Sequence, residues 1–114
     1  MRWPLWRVAV AERSMEPSLL PGDWLIVWRG PLTRRHPAPG QTVKVRPGQL
    51  VIARHPGLPG TLLVKRVAWR EAGGWWLVSD NPGAGGVDSF RFGAVPPDLV
   101  EGRVLLRYWP PRRR

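Results

Sequence analysis

Cysteine is absent from the 114 residues, so a disulfide framework, a thiolate metal site and a cysteine nucleophile are all excluded. Long segments free of helix breakers are missing as well. Thirteen glycines and fourteen prolines make 27 of the 114 positions, about 24% against an ordinary usage of roughly 12%. The longest stretches without either are Leu5–Glu16 and Thr61–Ala72, twelve residues each. Proline removes a backbone donor and blocks a helix interior, so a long-helix bundle or coiled coil is excluded. A bilayer-spanning helix is excluded too, since it needs ~20 mostly apolar residues in a row. The opening Met1-Arg2-Trp3-Pro4-Leu5-Trp6-Arg7 lacks the apolar core of a secretory signal, so the expected location is the cytoplasm. Hydroxyls and amines are few: four serines, two histidines and two lysines.

What is present points to a folded, turn-rich β protein. Hydrophobic residues make 43% of the chain, with eight tryptophans, too many for a disordered segment. The net charge is +10, and sixteen of the eighteen basic residues are arginine. Such a balance raises nucleic acid or an anionic membrane as partners. A genome biased toward arginine codons is the preferred explanation, because the one dense cluster is the tail Arg112-Arg113-Arg114. Apolar or alternating runs bounded by turn residues predict strands at Trp6–Val10, Trp24–Trp28, Leu50–Ala53, Leu62–Trp69, Trp75–Val78 and Val104–Tyr108. Glu71-Ala72-Gly73-Gly74 reads as a hairpin turn, Gly30–Gly40 and Asn81–Gly86 as loops, and Met15–Leu20 as a short helical turn. The expected fold is all-β, a sheet curled on itself or a partly open barrel, forming one domain over 1–109 with a basic Pro/Arg tail at 110–114.

Two places could carry chemistry. Lys65 lies inside the most apolar strand of a chain that otherwise chooses arginine. Arginine cannot lose its proton, whereas a buried lysine can. A free lysine at pH 7 is neutral in only about one molecule per two thousand, and burial raises that fraction. The alternative is a lysine whose stem packs while its ammonium reaches water. Ser14-Met15-Glu16-Pro17, followed by Gly22-Asp23, can present a hydroxyl at the end of a strand, or can simply cap a turn. His36 and His55 each precede proline in turn-like segments with no partner at metal spacing, so they read as surface histidines and neither metal nor cofactor is expected.

Taken in order, Ser14-Met15-x-Pro17 with Gly22-Asp23, Lys65-Arg66-Val67, Asp80-Asn81 and Asp88-Ser89 resemble the signal peptidase I family of Ser/Lys serine proteases. The similarity runs from about Val8 to Tyr108. It implies a coiled, mostly antiparallel β-sheet of the signal peptidase and LexA-like catalytic core. Ser14 would be the nucleophile and Lys65 the general base, with Met15, Asp88 and Ser89 supporting the oxyanion and dyad. Pro17, Asp23, Arg66, Asp80 and Asn81 would shape the surroundings, and the tryptophans could keep the site dry.

Three positions depart from the family pattern. Glu12 stands where a small hydroxyl residue often precedes the nucleophile. Gly86 stands where a serine orients the lysine, which leaves that contact to Ser89 or a water. Phe90 follows Asp88-Ser89 in place of arginine, and Arg91 is the candidate substitute.

Without an N-terminal membrane anchor, the chain resembles the maturation proteases of nickel-type superoxide dismutase within this family. The implied function is removal of an N-terminal propeptide from a precursor protein, with membrane contact allowed but not required. The alternative is a signal peptidase-like protease at a membrane, anchored through Arg2, Trp3, Trp6 and Arg7. A self-cleaving repressor-type switch would need a cleavage segment ahead of Ser14, where only thirteen residues stand. A basic nucleic-acid-binding β-barrel is the remaining class, and the scattered arginines argue against it.

Overall fold

The computed structural model describes residues 4–30 and 43–111. Met1, Arg2, Trp3, most of the predicted Gly30–Gly40 loop with His36, and Arg112 to Arg114 lie outside the described residues. Among the described residues six strands form: β1 (Leu5–Ala9), β2 (Trp24–Trp28), β3 (Leu50–His55), β4 (Leu58–Glu71), β5 (Gly74–Val78) and β6 (Val100–Trp109). They make one sheet in the order β1-β2-β6-β3-β4-β5, every neighbouring pair antiparallel. The all-β, coiled antiparallel expectation holds.

Each predicted strand is present, and the longest differ at their ends. β4 starts at Leu58, ahead of the predicted Leu62, running through Pro59 and Gly60 after a register shift between Arg54 and His55. Proline is tolerated there because β5 pairs only from Arg66 onward, leaving the early part of β4 as an edge. β6 starts at Val100 and includes Gly102, whose bare Cα lets the strand lie against Val27 of β2. The segment Met15–Leu20 is a run of turns rather than a helix, closed by the Leu19 N–H donating to the Met15 carbonyl at 2.9 Å. One short helix, α1 (Ser89–Phe92), forms where no helix is predicted, because the Asp88 carboxylate accepts the Phe90 N–H.

The sheet coils because its register slips. Shifts occur in the β2–β6, β3–β4, β3–β6 and β4–β5 ladders, each bending the strand that carries the extra residue. The β4–β5 shift lies between Val67 and Trp69, so Ala68 is the bulged residue. Alternation along β3 feeds two cores. Val51 and Ala53 point into a cluster with Val43, Val45, Val67, Leu77, Val95 and Val100. Ile52 points into another with Val10, Met15, Leu19, Leu25 and Val27.

Candidate active site

The loop carrying Ser14 is pinched at its base. The Val10 N–H donates to the Asp23 carbonyl and the Gly22 N–H to the Val10 carbonyl, both at 2.8 Å. Gly22 takes φ +91°, a conformation that favours glycine. The buried Asp23 side chain accepts the Leu20 N–H at 2.8 Å and lies 3.8 Å from the Arg107 guanidinium. Met15 and Leu19 anchor the loop in the second core, while Pro17 is exposed after a cis Glu16–Pro17 peptide.

The segment after β5 ties down the other side of that loop. The Asn81 N–H donates to the Ser14 carbonyl at 2.7 Å, and the Asn81 side-chain amide to the Arg13 carbonyl at 3.3 Å. The Asp80 N–H contacts the Met15 sulfur at 3.5 Å. Asp80 accepts two bonds from Arg66, at 2.9 and 2.7 Å, and one from the Ser18 hydroxyl at 2.6 Å. Arg66 also reaches the Gly48 carbonyl at 2.8 Å. The guanidinium holds the Asp80 carboxyl below its ordinary range, and the carboxylate in turn raises Arg66. This fork-to-fork pair fixes the strand and loop that flank Ser14.

Lys65 sits one residue before Arg66 and so faces the other side of β4. It is 1% exposed, and its Nζ lies 3.0 Å from both the Ser14 and the Ser79 hydroxyl oxygens. Burial pushes the ammonium below its ordinary value, while the negative charges of Glu12 and Asp88 push back. The apolar setting is aliphatic: Val51 pairs with Lys65 across β3–β4, Leu63 and Val67 are buried two positions to either side of it, and Met15 is buried next to Ser14. Tryptophan does not supply it. Trp69 and Trp76 stack on each other, Trp76 meets Phe90 edge-on, and no tryptophan lines the two cavities at Ser14.

Ser79 is the site residue that the sequence reading missed, and it corrects the expected source of the lysine contact. Ser89 does not take that contact; its hydroxyl accepts the Leu77 N–H at 2.8 Å inside β5. Gly86 instead provides closeness, since a Cβ there would come 2.6 Å from the Ser14 Cβ and 3.4 Å from the Lys65 Nζ. Asp88 supports the site through backbone: it accepts the Ser79 N–H and the Phe90 N–H, each at 3.0 Å. Arg91 is exposed on α1 and does not replace the family's arginine at Asp88, whose oxygens hold these two N–H groups. His55 is no free loop residue, because its Nδ1 accepts the Gly57 N–H at 2.9 Å and its ring lies 4.9 Å from Phe92.

Among the described residues, two cavities open on Ser14. One, of about 370 Å³, runs between Glu12–Ser14 and Ala84–Val87. The other, of about 220 Å³, is apolar and lies between Val8–Glu12 on one wall and Leu62–Val64 on the other, with Met15 and Ile52 beneath. These walls are strand edges. β1 ends the sheet, and β5 pairs with β4 only from Arg66 onward. Four antiparallel steps separate β1 from β4, so the two edges run in the same direction.

Residues 5–88 match the Peptidase S24-like family. The mitochondrial ATP-independent inner membrane protease subunit 1a of Arabidopsis thaliana is 32% identical over 90 residues, covering 60% of this chain and 53% of the relative. The chain thus spans about half the length of that curated relative. Among the described residues, no helix is long and apolar enough to cross a membrane. The matched segment runs from β1 through Asp88 and takes in most of the chain, which therefore belongs to the Peptidase S24-like family.

Proposed function

We propose that the chain is an endopeptidase in which Ser14 is the nucleophile and Lys65 the general base. The observation that carries this reading is a fully buried amine 3.0 Å from two hydroxyls, one of them facing open cavities. Burial favours the neutral amine, and the Ser79 hydroxyl fixes its position so that the nitrogen lone pair meets the Ser14 hydroxyl. As the Ser14 oxygen bonds to the scissile carbonyl carbon, its proton passes to Lys65. The Ser14 N–H is assigned to the resulting oxyanion. The C–N bond then breaks, Lys65 returns the proton to the leaving amine, and an acyl-Ser14 ester remains. Lys65 next takes a proton from water, whose oxygen bonds to the ester carbonyl carbon; the C–O bond to Ser14 then breaks, Lys65 gives its proton to the Ser14 oxygen, and the acid and free Ser14 are released.

Edges of β1 and β4 that face each other across an apolar cavity suit an extended peptide added as a strand. Running parallel to both, it brings its residues N-terminal to the scissile bond into that cavity. The substrate class is a precursor protein that carries an N-terminal propeptide, with the nickel superoxide dismutase precursor as the specific candidate. Mass spectrometry of that precursor with wild-type protein, Ser14→Ala and Lys65→Met tests both levels. Cleavage by wild type alone supports the dyad; full activity of either variant removes it.

The name of the membrane-protease relative favours a second reading, processing of secretory precursors at a membrane. Exposed Trp24, Leu106 and Trp109, neighbours on β2 and β6, suit such contact. Cleavage confined to secretory precursors in the presence of vesicles selects that reading over a cytoplasmic one.

A further inference from the structure

The two cavities at Ser14 share one charged side chain, that of Glu12. The apolar cavity takes Val8 to Glu12 and the larger one Glu12 to Ser14, so they follow each other along the chain that continues β1. A substrate parallel to β1 therefore crosses the apolar cavity first and meets Ser14. It then enters the larger cavity with the residues that follow the scissile bond. Charge there is sparse. The wall from Ala84 to Val87 carries none. Arg13 is turned to Glu16, its Nε 3.3 and 3.4 Å from the two carboxylate oxygens. Glu12 is exposed, and among the described residues no side chain bonds to its carboxylate. Its position works against the chemistry: burial lowers the Lys65 pKa, and the Glu12 charge opposes that. A cation brought by the substrate would give the carboxylate a partner and relieve the opposition.

We propose that Glu12 is a specificity residue for the leaving-group side of the substrate, taking a Lys or Arg side chain within the first two residues after the scissile bond. An extended chain advances about 3.3 Å per residue, which keeps these two residues beside the Glu12–Ser14 wall. The cavity of about 370 Å³ has room for such a side chain. Its aliphatic stem lies along the uncharged Ala84–Val87 wall, and its charged head reaches Glu12. An Asp or Glu at the same place meets a like charge and is rejected. The apolar cavity thus reads the residues ahead of the bond, and Glu12 those behind it. The inference rests on the parallel binding mode and peptidase chemistry proposed above.

Two fluorogenic decapeptides of identical composition, with apolar residues ahead of the bond, provide the test. One carries Lys at the first two positions after the bond and Glu at its C-terminal end; the other exchanges them. Equal net charge removes the pull of the basic protein as a whole. The expected kcat/KM is about tenfold higher with Lys next to the bond, because attraction in one peptide and repulsion in the other add. That ratio falls toward one in Glu12→Gln and at about 1 M salt, and inverts in Glu12→Lys. Each ratio is taken within one variant, so the effect of the substitution on Lys65 cancels. Equal cleavage of the two peptides by wild type, or an unchanged ratio in Glu12→Gln, overturns the subsite. Fluorescence anisotropy of the same peptides on Ser14→Ala reads binding without chemistry. Tighter binding there of the peptide with Lys next to the bond, with neither peptide cleaved by wild type, keeps the subsite and removes the peptidase reading. Cleavage of both at equal rates does the reverse.

Discussion

In the proposed dyad Lys65 acts as the base only without its proton, so the charges around it would set the pH range of activity. Burial lowers its pKa, while Glu12 and Asp88 work against that. The acid limb of the kcat/KM profile is therefore expected to report Lys65 below the ordinary lysine value, and Glu12→Gln to move that limb to lower pH. Stability carries the same signature. The unfolded chain holds the Lys65 proton up to about pH 10.4 and the folded chain releases it earlier, so stability rises with pH through that window. Lys65→Met flattens this rise in urea titrations at stepped pH. Ser79→Ala is expected to lower kcat by roughly ten- to a hundredfold with KM little changed, and Ser79→Thr to restore part of it. Gly86→Ala places a methyl against Ser14 and is expected to abolish turnover, with the fold retained by circular dichroism. Ser14 and Lys65 were legible because scarce residue types stood in ordered motifs. Ser79 was not, for a geometric reason. Counting from the Glu71–Gly74 turn in an unbroken ladder sets Asp80 opposite Lys65, and only the extra residue at Ala68 moves the register so that Ser79 takes that place.

At the scale of elements, the β4–β5 hairpin shows what turn chemistry demands. Glu71 pairs with Gly74, leaving Ala72 and Gly73 as a two-residue loop with φ of 52° and 75°. Such turns need positive φ at both central positions, which glycine or asparagine adopts readily and alanine does not. Ala72→Gly is expected to stabilise the protein by about 0.5–1 kcal/mol, read as a higher urea midpoint at unchanged m-value. The turn itself was visible in the residues, as were the six apolar runs. The extension of β4 through Pro59 and Gly60 was not, because only the end of β5 at Val78 makes that stretch an edge where proline costs no ladder bond. α1 was hidden likewise, since its four residues depend on the Asp88 cap and carry no periodic signal of their own.

Across the whole molecule, β3 stands between two cores and ties the Ser14 loop to the Lys65 strand. Ile52 belongs to the core that holds Met15 and also floors the apolar cavity. Ile52→Ala is expected to cost about 2–4 kcal/mol in chemical denaturation and to raise KM, whereas a change confined to the Val43–Val45 side lowers stability with KM unaffected. Net charge gave no comparable guide: the +10 excess is spread over most of the chain, and Arg66 and Arg107 act locally, at Asp80 and Asp23. The bulge at Ala68 has a consequence for engineering. It lies between the hairpin tip and the part of the ladder that sets Lys65 beside Ser79. A fluorescent tag or affinity epitope grafted between Ala72 and Gly73 would ride on a handle outside the active site. Deleting Ala68 alone would slide the ladder by one and present Lys65 with a carboxylate in place of the Ser79 hydroxyl.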